Sequence, residues 1–222
     1  MCTNFTPTRQ TEWAAQALGV SWPQGHPEEV FPGQLAPIVL RSHRQERHAA
    51  GLARFGLIPT WAKDLGQGRH TYNARSETAS AKPSFRHAWQ SRQYALLVVD
   101  RFYEPCYETG RAVRWSIAAD NNGTPLGLAC LWERWVEPET QQIVASFAML
   151  TVNADAHPVL KRFHKPGEEK RSPVLLPPDQ WQHWLSATPE LALKMIDAHQ
   201  APPLRVQADP LPSRQRATVS AS

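Results

Sequence analysis

The sequence is poor in cysteine and contains no long apolar run. Its three cysteines, Cys2, Cys106 and Cys130, are widely spaced and form no CxxC pair, which argues against a disulfide framework and against a zinc ribbon. No apolar stretch approaches the roughly 18 residues of a membrane span, and residues 1–7 (MCTNFTP) lack the basic and apolar segments of a signal peptide. We therefore expect a cytoplasmic protein with reduced thiols, no membrane contact, no metal and no cofactor.

A strong excess of one charge is also missing. The 222 residues include 24 Lys and Arg against 20 Asp and Glu, which gives a formal net charge of +4. This mild surplus fits a surface that binds nucleic acid, but an ordinary soluble protein has the same balance. Nine tryptophans and a hydrophobic content of 41% are enough to build the core of one domain, and they argue against wholesale disorder.

Strand patterns outnumber helical ones. The run 94–99 (YALLVV) is typical of a buried strand, and the alternation over 113–117 is typical of a half-buried one. Helical spacing is confined to short stretches. In one of them Thr188 can cap a helix with Pro189 at its first position and with Leu191, Met195 and Ile196 on one face. Further strands are predicted at 35–40, 48–57, 126–136 and 145–152, and further helices at 78–89 and 179–185.

The order of these elements predicts the fold class. Strands and helices do not alternate regularly, so repeated βαβ units are disfavoured. We expect a single α+β domain over residues 1–212, built on a mostly antiparallel, barrel-like β-sheet with short flanking helices. The small and polar residues 213–222 are expected to form a flexible tail.

Cys2 offers chemistry that no other residue of the chain has. Removal of Met1 would leave an α-amine (pKa about 8) beside a thiol (pKa about 8.5), and both are partly nucleophilic near neutral pH. Such a 1,2-aminothiol condenses with an aldehyde, because the amine forms a Schiff base and the thiol then closes a thiazolidine ring. The alternative is a cysteine that stands at position 2 by chance, and the residues alone do not decide between the two.

Four other polar positions are candidates for a site. Asn73 and Arg75 would project from the same side of an extended segment, where Arg75 offers a planar fork to phosphate; the alternative is a capped helix start. Glu104 follows an apolar run and occupies either a semi-apolar pocket or a surface turn. His164 lies among cations that disfavour its imidazolium form, so it is a candidate to carry protons or an ordinary structural histidine. The neighbouring cations are either phosphate contacts or a solvated face: Lys161, Arg162, Lys165, Lys170 and Arg171.

These residues lie in motifs that resemble the SRAP family (SOS-response-associated peptidases, or abasic-site processing proteins). Met1-Cys2 followed by Phe5 resembles the family's N-terminus. Residues 55–61 (FGLIPTW) resemble its WGLIPxW segment, 73–78 (NARSET) its NARxET motif, and 85–89 (FRHAW) its F..AW helix. Residues 101–104 (RFYE) resemble its GFYEW strand end, and His164 with 171–174 (RSPV) resembles HxRMPVIL. These matches occur in the right order over nearly the whole chain, which makes the resemblance specific.

The resemblance implies the SRAP fold and a covalent reaction with DNA. In that family the cysteine becomes the mature N-terminus after self-removal of Met1, and it crosslinks to the ring-opened aldehyde of an abasic site in single-stranded DNA, which shields the lesion. The implied partner is single-stranded DNA with abasic sites, including junctions with a duplex. We further expect a monomer that associates with the nucleoid when it is bound to DNA.

The resemblance also implies roles for particular residues. The catalytic set carried over is Cys2, Asn73, Glu104 and His164. Glu104 is expected to position or deprotonate the Cys2 amine, His164 to protonate the sugar ring oxygen, and Asn73 to orient the sugar or the Cys2 main chain. Contacts to DNA are expected from Arg75, Trp61, Lys161, Arg162 and Arg171.

Some positions depart from the family pattern. Asn4 replaces an arginine that helps to hold phosphate, Arg101 replaces a glycine and Pro105 replaces a tryptophan, while the segment 165–170 is longer than in the family. Because the four central residues remain, we expect activity with an altered DNA preference. Two other functions stay open at this point: a peptidase that uses an N-terminal nucleophile in trans, and a non-catalytic module that binds single-stranded DNA.

Overall fold

A computed structural model of the protein describes residues 2–42, 47–120, 123–197 and 201–211. Met1 and the predicted tail over 213–222 lie outside these ranges. The strands are β1 (Asn4–Pro7), β2 (Leu35–Ser42), β3 (Arg47–Phe55), β4 (Asn73–Arg75), β5 (Tyr94–Cys106), β6 (Val113–Ala119), β7 (Leu126–Val136), β8 (Ile143–Asn153), β9 (Arg171–Pro173), β10 (Leu175–Leu176) and β11 (Leu204–Ala208). The α-helices are α1 (Thr11–Leu18), α2 (Ser76–Ala79), α3 (Arg86–Gln90), α4 (Trp181–Leu185) and α5 (Pro189–Asp197).

Five of the strands close into a barrel. Antiparallel pairing joins β3 to β2, β2 to β5, β5 to β7 and β7 to β8, and a short parallel pairing of β8 with β3 completes the ring. The remaining strands extend it at the edges: β1 and β6 pair with β5, β11 with β6, β4 and β9 with β8, and β10 with β7. The structure confirms the predicted α+β class and the barrel-like, mostly antiparallel sheet.

Alternation along β5 divides the core into two layers. Tyr94, Leu96 and Val98 pack with the tryptophans of α4 on the outside of the barrel, whereas the odd-numbered residues of 95–99 pack inside it. Both faces of this segment are therefore buried, which explains why the sequence there is apolar without interruption. The inner layer extends to the start of the chain, because Cys2 and Phe5 belong to it.

The predicted elements occur in the structure with some corrections. The strand predicted from 94–99 continues to Cys106, and the segment 78–89 forms two short helices, α2 and α3, with Pro83 between them. Thr188 accepts the N–H of Leu191 through its hydroxyl at 3.2 Å, as expected of a cap. Of the residues predicted to share one face of α5, Ile196 is buried, as is Ala192, whereas Leu191 is 42% exposed. Within the described ranges no helix is long and apolar enough to cross a membrane.

Candidate active site

The first residues of the chain are anchored at one end of the barrel. Strand β1 pairs with the end of β5, with Asn4 opposite Tyr103, so Cys2 lies close to Glu104. The carbonyl oxygen of Cys2 accepts a hydrogen bond from Asn73 Nδ2 at 2.8 Å. Burial raises the pKa of the Cys2 thiol, and the nearby Glu104 carboxylate raises this pKa further. The thiol is therefore held in its protonated form near neutral pH.

Glu104 and His164 form a buried pair beside Cys2. Glu104 belongs to β5 and His164 to the loop before β9, and His164 Nε2 lies 2.9 Å from Glu104 Oε2. The other ring nitrogen, Nδ1, accepts the backbone N–H of Arg171 at 3.4 Å, which assigns the imidazole proton to Nε2. The Nε2–H group therefore donates to Glu104, and a proton can be shared between the two side chains. Since Glu104 is buried within a strand, the alternative of a surface turn is wrong.

The backbone of His164 is held in a left-handed conformation with φ of 66°. A residue other than glycine adopts this conformation at an energetic cost, which the surrounding structure has to offset. Here the N–H of His164 donates to Pro105 O at 2.9 Å, and Lys170 Nζ donates to its carbonyl at 3.3 Å. These two bonds fix the imidazole against the end of β5.

Asn73 approaches Cys2 from the opposite side of the site. It begins β4, which pairs in parallel with β8, and this extended backbone places Asn73 and Arg75 on the same face, as predicted. Helix α2 begins directly afterwards at Ser76, but Arg75 makes no capping bond with its side chain. While Nδ2 of Asn73 binds Cys2, its Oδ1 is buried and has no hydrogen-bond partner among the described residues. This oxygen is available to accept a bond from a hydroxyl group of a ligand.

Comparison with known proteins identifies the family. The family model described as SOS response associated peptidase (SRAP) matches residues 1–211. The chain belongs to the SRAP family. Abasic site processing protein YoqW of Bacillus subtilis (strain 168) is 29% identical to this SRAP chain over 196 residues, which are 84% of this chain and 80% of YoqW. YoaM, an abasic site processing protein of the same organism, is 30% identical over 137 residues, or 61% of this chain and 56% of YoaM.

Two solved structures support the SRAP architecture. A protein from Bordetella bronchiseptica superposes with a TM-score of 0.86 at 30% sequence identity, covering 95% of this chain and 100% of that one. A protein from Bacteroides thetaiotaomicron has a TM-score of 0.74 at 17% identity, covering 93% of this chain and 91% of that one, and it shares the fold. The family resemblance inferred from the motifs is thus confirmed.

Two of the predicted DNA contacts of this SRAP chain are exposed and oriented by contacts with other residues. Arg75 is 54% exposed and pairs with Glu169, with 2.8 Å between Nη1 and Oε2. Trp61 is also exposed, and its Nε1 donates to Pro83 O at 3.2 Å, which fixes the orientation of the indole. An exposed, oriented aromatic ring offers a surface on which a base can stack.

Lys161 and Arg162, two further predicted DNA contacts, lie in a short 3₁₀ helix, Leu160–Arg162. Lys161 is exposed. Arg162 forms two bonds to Glu108, at 2.7 and 2.9 Å, and its guanidinium lies 5.0 Å from the centre of the Trp115 ring. Arg162 is therefore already neutralised by a carboxylate, so a phosphate would have to compete with Glu108 for it.

Arg171 differs from the other predicted contacts because its side chain is only 3% exposed. Its guanidinium binds both carboxylate oxygens of Glu77 at 2.7 and 2.9 Å, Glu169 at 2.8 Å and the carbonyl of Thr151 at 2.7 Å. These bonds join α2, β8 and the loop that carries Glu169. A direct contact of Arg171 with DNA stays a prediction, while its observed contacts hold the site together.

Arg171→Ala is therefore expected to lower stability more than it lowers DNA affinity. We expect the free energy of unfolding to fall by about 1–3 kcal/mol, since several charge-assisted hydrogen bonds are lost. Arg171 lowers the pKa of Glu77, so its contribution is present above the ordinary carboxyl pKa and is lost as the pH falls through the lowered one. Urea unfolding near neutral and at acid pH measures this, and the difference between wild type and variant should shrink at acid pH.

The control for this prediction is Arg162→Ala, which breaks an exposed pair with Glu108. It should lower the free energy of unfolding much less than Arg171→Ala does, because exposed ion pairs contribute little. Equal losses for the two variants would contradict the structural role of Arg171.

Sequence reasoning missed two acidic residues that organise the arginines of this SRAP chain. Glu169 binds both Arg75 and Arg171, and Glu29 accepts bonds from Asn4 Nδ2 and from Arg114 Nη2. Glu29 and Arg114 are 85 residues apart in sequence, so no local pattern connects them. A sequence signal was present only for Glu169, because it lies between His164 and Arg171 in the segment that is longer than in the family.

Proposed function

We propose that this SRAP chain captures abasic sites in single-stranded DNA as a covalent thiazolidine on Cys2. The observation that supports this most strongly is the convergence of Cys2, Asn73 and the Glu104–His164 pair from separate segments on one buried site. The relatives that are named abasic site processing proteins support the lesion as substrate. A DNA substrate also fits the predicted cytoplasmic location.

The reaction begins once Met1 has been hydrolysed from Cys2, because the nitrogen of Cys2 is otherwise an amide. His164 donates its Nε2 proton to the ring oxygen of the abasic sugar, the bond between that oxygen and the anomeric carbon breaks, and the anomeric hydroxyl returns a proton to Nε2 as the aldehyde forms. Glu104 takes a proton from the Cys2 ammonium, and the free amine attacks the aldehyde carbon. Loss of one water from the carbinolamine then gives the Schiff base.

The thiol acts last. Its raised pKa keeps it protonated during attack by the amine, so the two nucleophiles do not compete for the aldehyde. Sulfur then adds to the imine carbon and the thiol proton passes to nitrogen, which closes the ring. Because Asn73 fixes the Cys2 carbonyl, both steps take place within one held geometry, and proximity supplies much of the rate.

A gel experiment with intact-mass analysis tests the proposal. The protein is incubated with single-stranded DNA that carries one abasic site, and then heated in denaturant. We expect a species whose mass equals the protein without Met1 plus the DNA minus one water, and no such species with intact DNA. A complex that dissociates completely on denaturation would instead support a non-covalent binding module.

Glu169 is expected to restrain DNA binding by holding Arg75. Glu169→Gln should tighten binding to single-stranded DNA by about two- to fivefold at low salt, because exposed ion pairs are weak and a carboxylate no longer competes with phosphate for Arg75. Arg75→Ala should weaken binding and reduce the salt slope by about 0.7. Fluorescence anisotropy across a salt titration measures both effects.

Glu168→Gln is the matched control for Glu169→Gln. It removes the same charge from the neighbouring, exposed position, so a general electrostatic effect would appear in both variants. If Glu168→Gln tightens binding as much as Glu169→Gln does, the specific restraint on Arg75 is refuted.

A further inference from the structure

A cavity opens next to the candidate active site. It has a volume of about 270 Å³, borders Glu104, and is lined by Thr3, Asn4, Tyr103, Pro105 and Arg114. Thr3 directly follows Cys2 in the chain, so the Cα atom of this lining residue is about 3.8 Å from the Cα atom of the reacting residue. A strand whose abasic sugar reaches Cys2 therefore brings a neighbouring nucleotide to this cavity.

Arg114 presents a fixed flat surface to the cavity. Its guanidinium lies 3.5 Å from the centre of the Tyr103 ring, on which it is stacked. The edge of the group is occupied as well, because Nη2 donates to Glu29 at 2.6 Å and Nη1 donates to the Asp209 carbonyl at 3.3 Å. The side chain is 17% exposed, and because one flat face lies on Tyr103, a ligand that stacks on this guanidinium would use the opposite face.

This arrangement suits a base better than a phosphate. A phosphate is recognised by the N–H groups at the edge of a guanidinium. At Arg114, Nη1 and Nη2 already bind Asp209 and Glu29, and Nε is buried away from solvent. The charge of Glu29 would also repel a phosphate. A base instead stacks on the flat face of an arginine, and the side chains of Thr3 and Asn4, which are hydrogen-bonded to each other, line the same cavity.

We propose that this cavity binds the base adjacent to the abasic site, stacked on Arg114. The inference rests on the proposed function, since it needs the abasic sugar at Cys2. Under this proposal, Arg114 selects DNA in which the nucleotide on one side of the lesion carries a base. Stacking of this base on Arg114, which itself stacks on Tyr103, positions the abasic sugar at Cys2.

The test uses single-stranded DNA with one abasic site and 2-aminopurine immediately 5′ or 3′ of it. We expect binding to quench the fluorescence on one side only, as stacking does. Replacing that base with a base-less spacer should raise the half-saturating DNA concentration for crosslinking about 5- to 50-fold.

Arg114→Lys keeps the charge near Glu29 but loses the flat face, so it should lose both the quenching and the dependence on the base. Arg111→Ala, at an exposed cation three residues away, should keep both.

The outcomes separate this inference from the proposed function. Wild-type protein that crosslinks spacer-flanked DNA on both sides as well as base-flanked DNA overturns the cavity assignment and leaves the function intact. Quenching that persists in a folded Arg114→Lys also overturns it. Failure of the wild type to crosslink any abasic DNA overturns the proposed function itself. Since the spacer comparison needs no variant, it decides the question even if Arg114→Lys does not fold.

Discussion

Replacing Cys2 with alanine is expected to abolish the heat-stable crosslink completely. Alanine keeps the α-amine, so a Schiff base can still form, but no thiol remains to close the ring and the imine hydrolyses on denaturation. The backbone anchor should survive, because Asn73 binds the carbonyl of residue 2 and not its side chain. Denaturing gels with and without borohydride measure this: only borohydride treatment should yield a stable product with Cys2→Ala.

The other two cysteines provide the controls. Cys106 and Cys130 are also buried free thiols, and burial raises the pKa of Cys130 as it does that of Cys2. Neither has an α-amine beside it, so Cys106→Ala and Cys130→Ala should crosslink as the wild type does. Full heat-stable crosslinking by Cys2→Ala would exclude the thiazolidine and with it the proposed chemistry.

The barrel was predictable because its strands carry long apolar patterns. The run YALLVV gave a strand with both faces buried, and 126–136 matched β7 at both ends. The patterns missed β1 and β11, which have four and five residues. The other strands that they did not reveal are shorter still: β4 and β9 have three residues each and β10 has two. Such segments are too short for a period of two to be visible. They exist because longer strands already provide edges with which they pair.

Helix α1 was missed for a different reason. Within Thr11–Leu18 only Ala14 and Leu18 are buried, and Gln10 makes no capping bond with its side chain. A helix with such a narrow buried face and no N-terminal capping bond is hard to predict from sequence, and the glycine at its C-terminal end, Gly19, is a signal that was present. Its position depends on packing with the outer core layer, to which both buried residues belong.

The residues of the candidate site could be selected by residue type, but their electrostatic partners could not. Cysteine at position 2, a carboxylate at a strand end and a histidine near it could be identified from the sequence. In contrast, Arg171 lies in a basic cluster and looks like a phosphate contact, whereas its carboxylate partner Glu77 is 94 residues away. Whether an arginine faces DNA or a buried acid depends on tertiary structure, and sequence spacing does not contain this information.

Changes to Glu104 and His164 should reduce the rate strongly without preventing binding. Glu104→Gln keeps the shape of the side chain but cannot accept the amine proton, so Schiff-base formation should slow by about 10²–10⁴-fold. His164→Ala should slow crosslinking to the ring-closed abasic site by a similar factor, since the proton donor for ring opening is lost. Single-turnover rates with excess protein measure both effects, and anisotropy shows whether DNA binding is retained.

A second histidine–glutamate pair gives a matched control for these variants. His87 Nδ1 lies 2.7 Å from Glu133 Oε2, and Glu133 is buried as Glu104 is. This pair joins α3 to β7, and its members also bond to Gln93 and Ser91. His87→Ala and Glu133→Gln should therefore leave the crosslinking rate within about twofold of wild type, even if they lower stability.

A second substrate separates the role of Glu104 from that of His164. An analogue that presents the open aldehyde needs no ring-opening acid, so His164→Ala should regain most of its lost rate on it. Glu104→Gln should remain slow, because the amine still has to lose its proton before it attacks. If His164→Ala is slowed equally on both substrates, the imidazole acts later, in loss of water from the carbinolamine or in closure by the thiol. In the structure its Nε2–H points at Glu104, so DNA binding must redirect this proton toward the sugar, and that redirection is the step the two substrates distinguish.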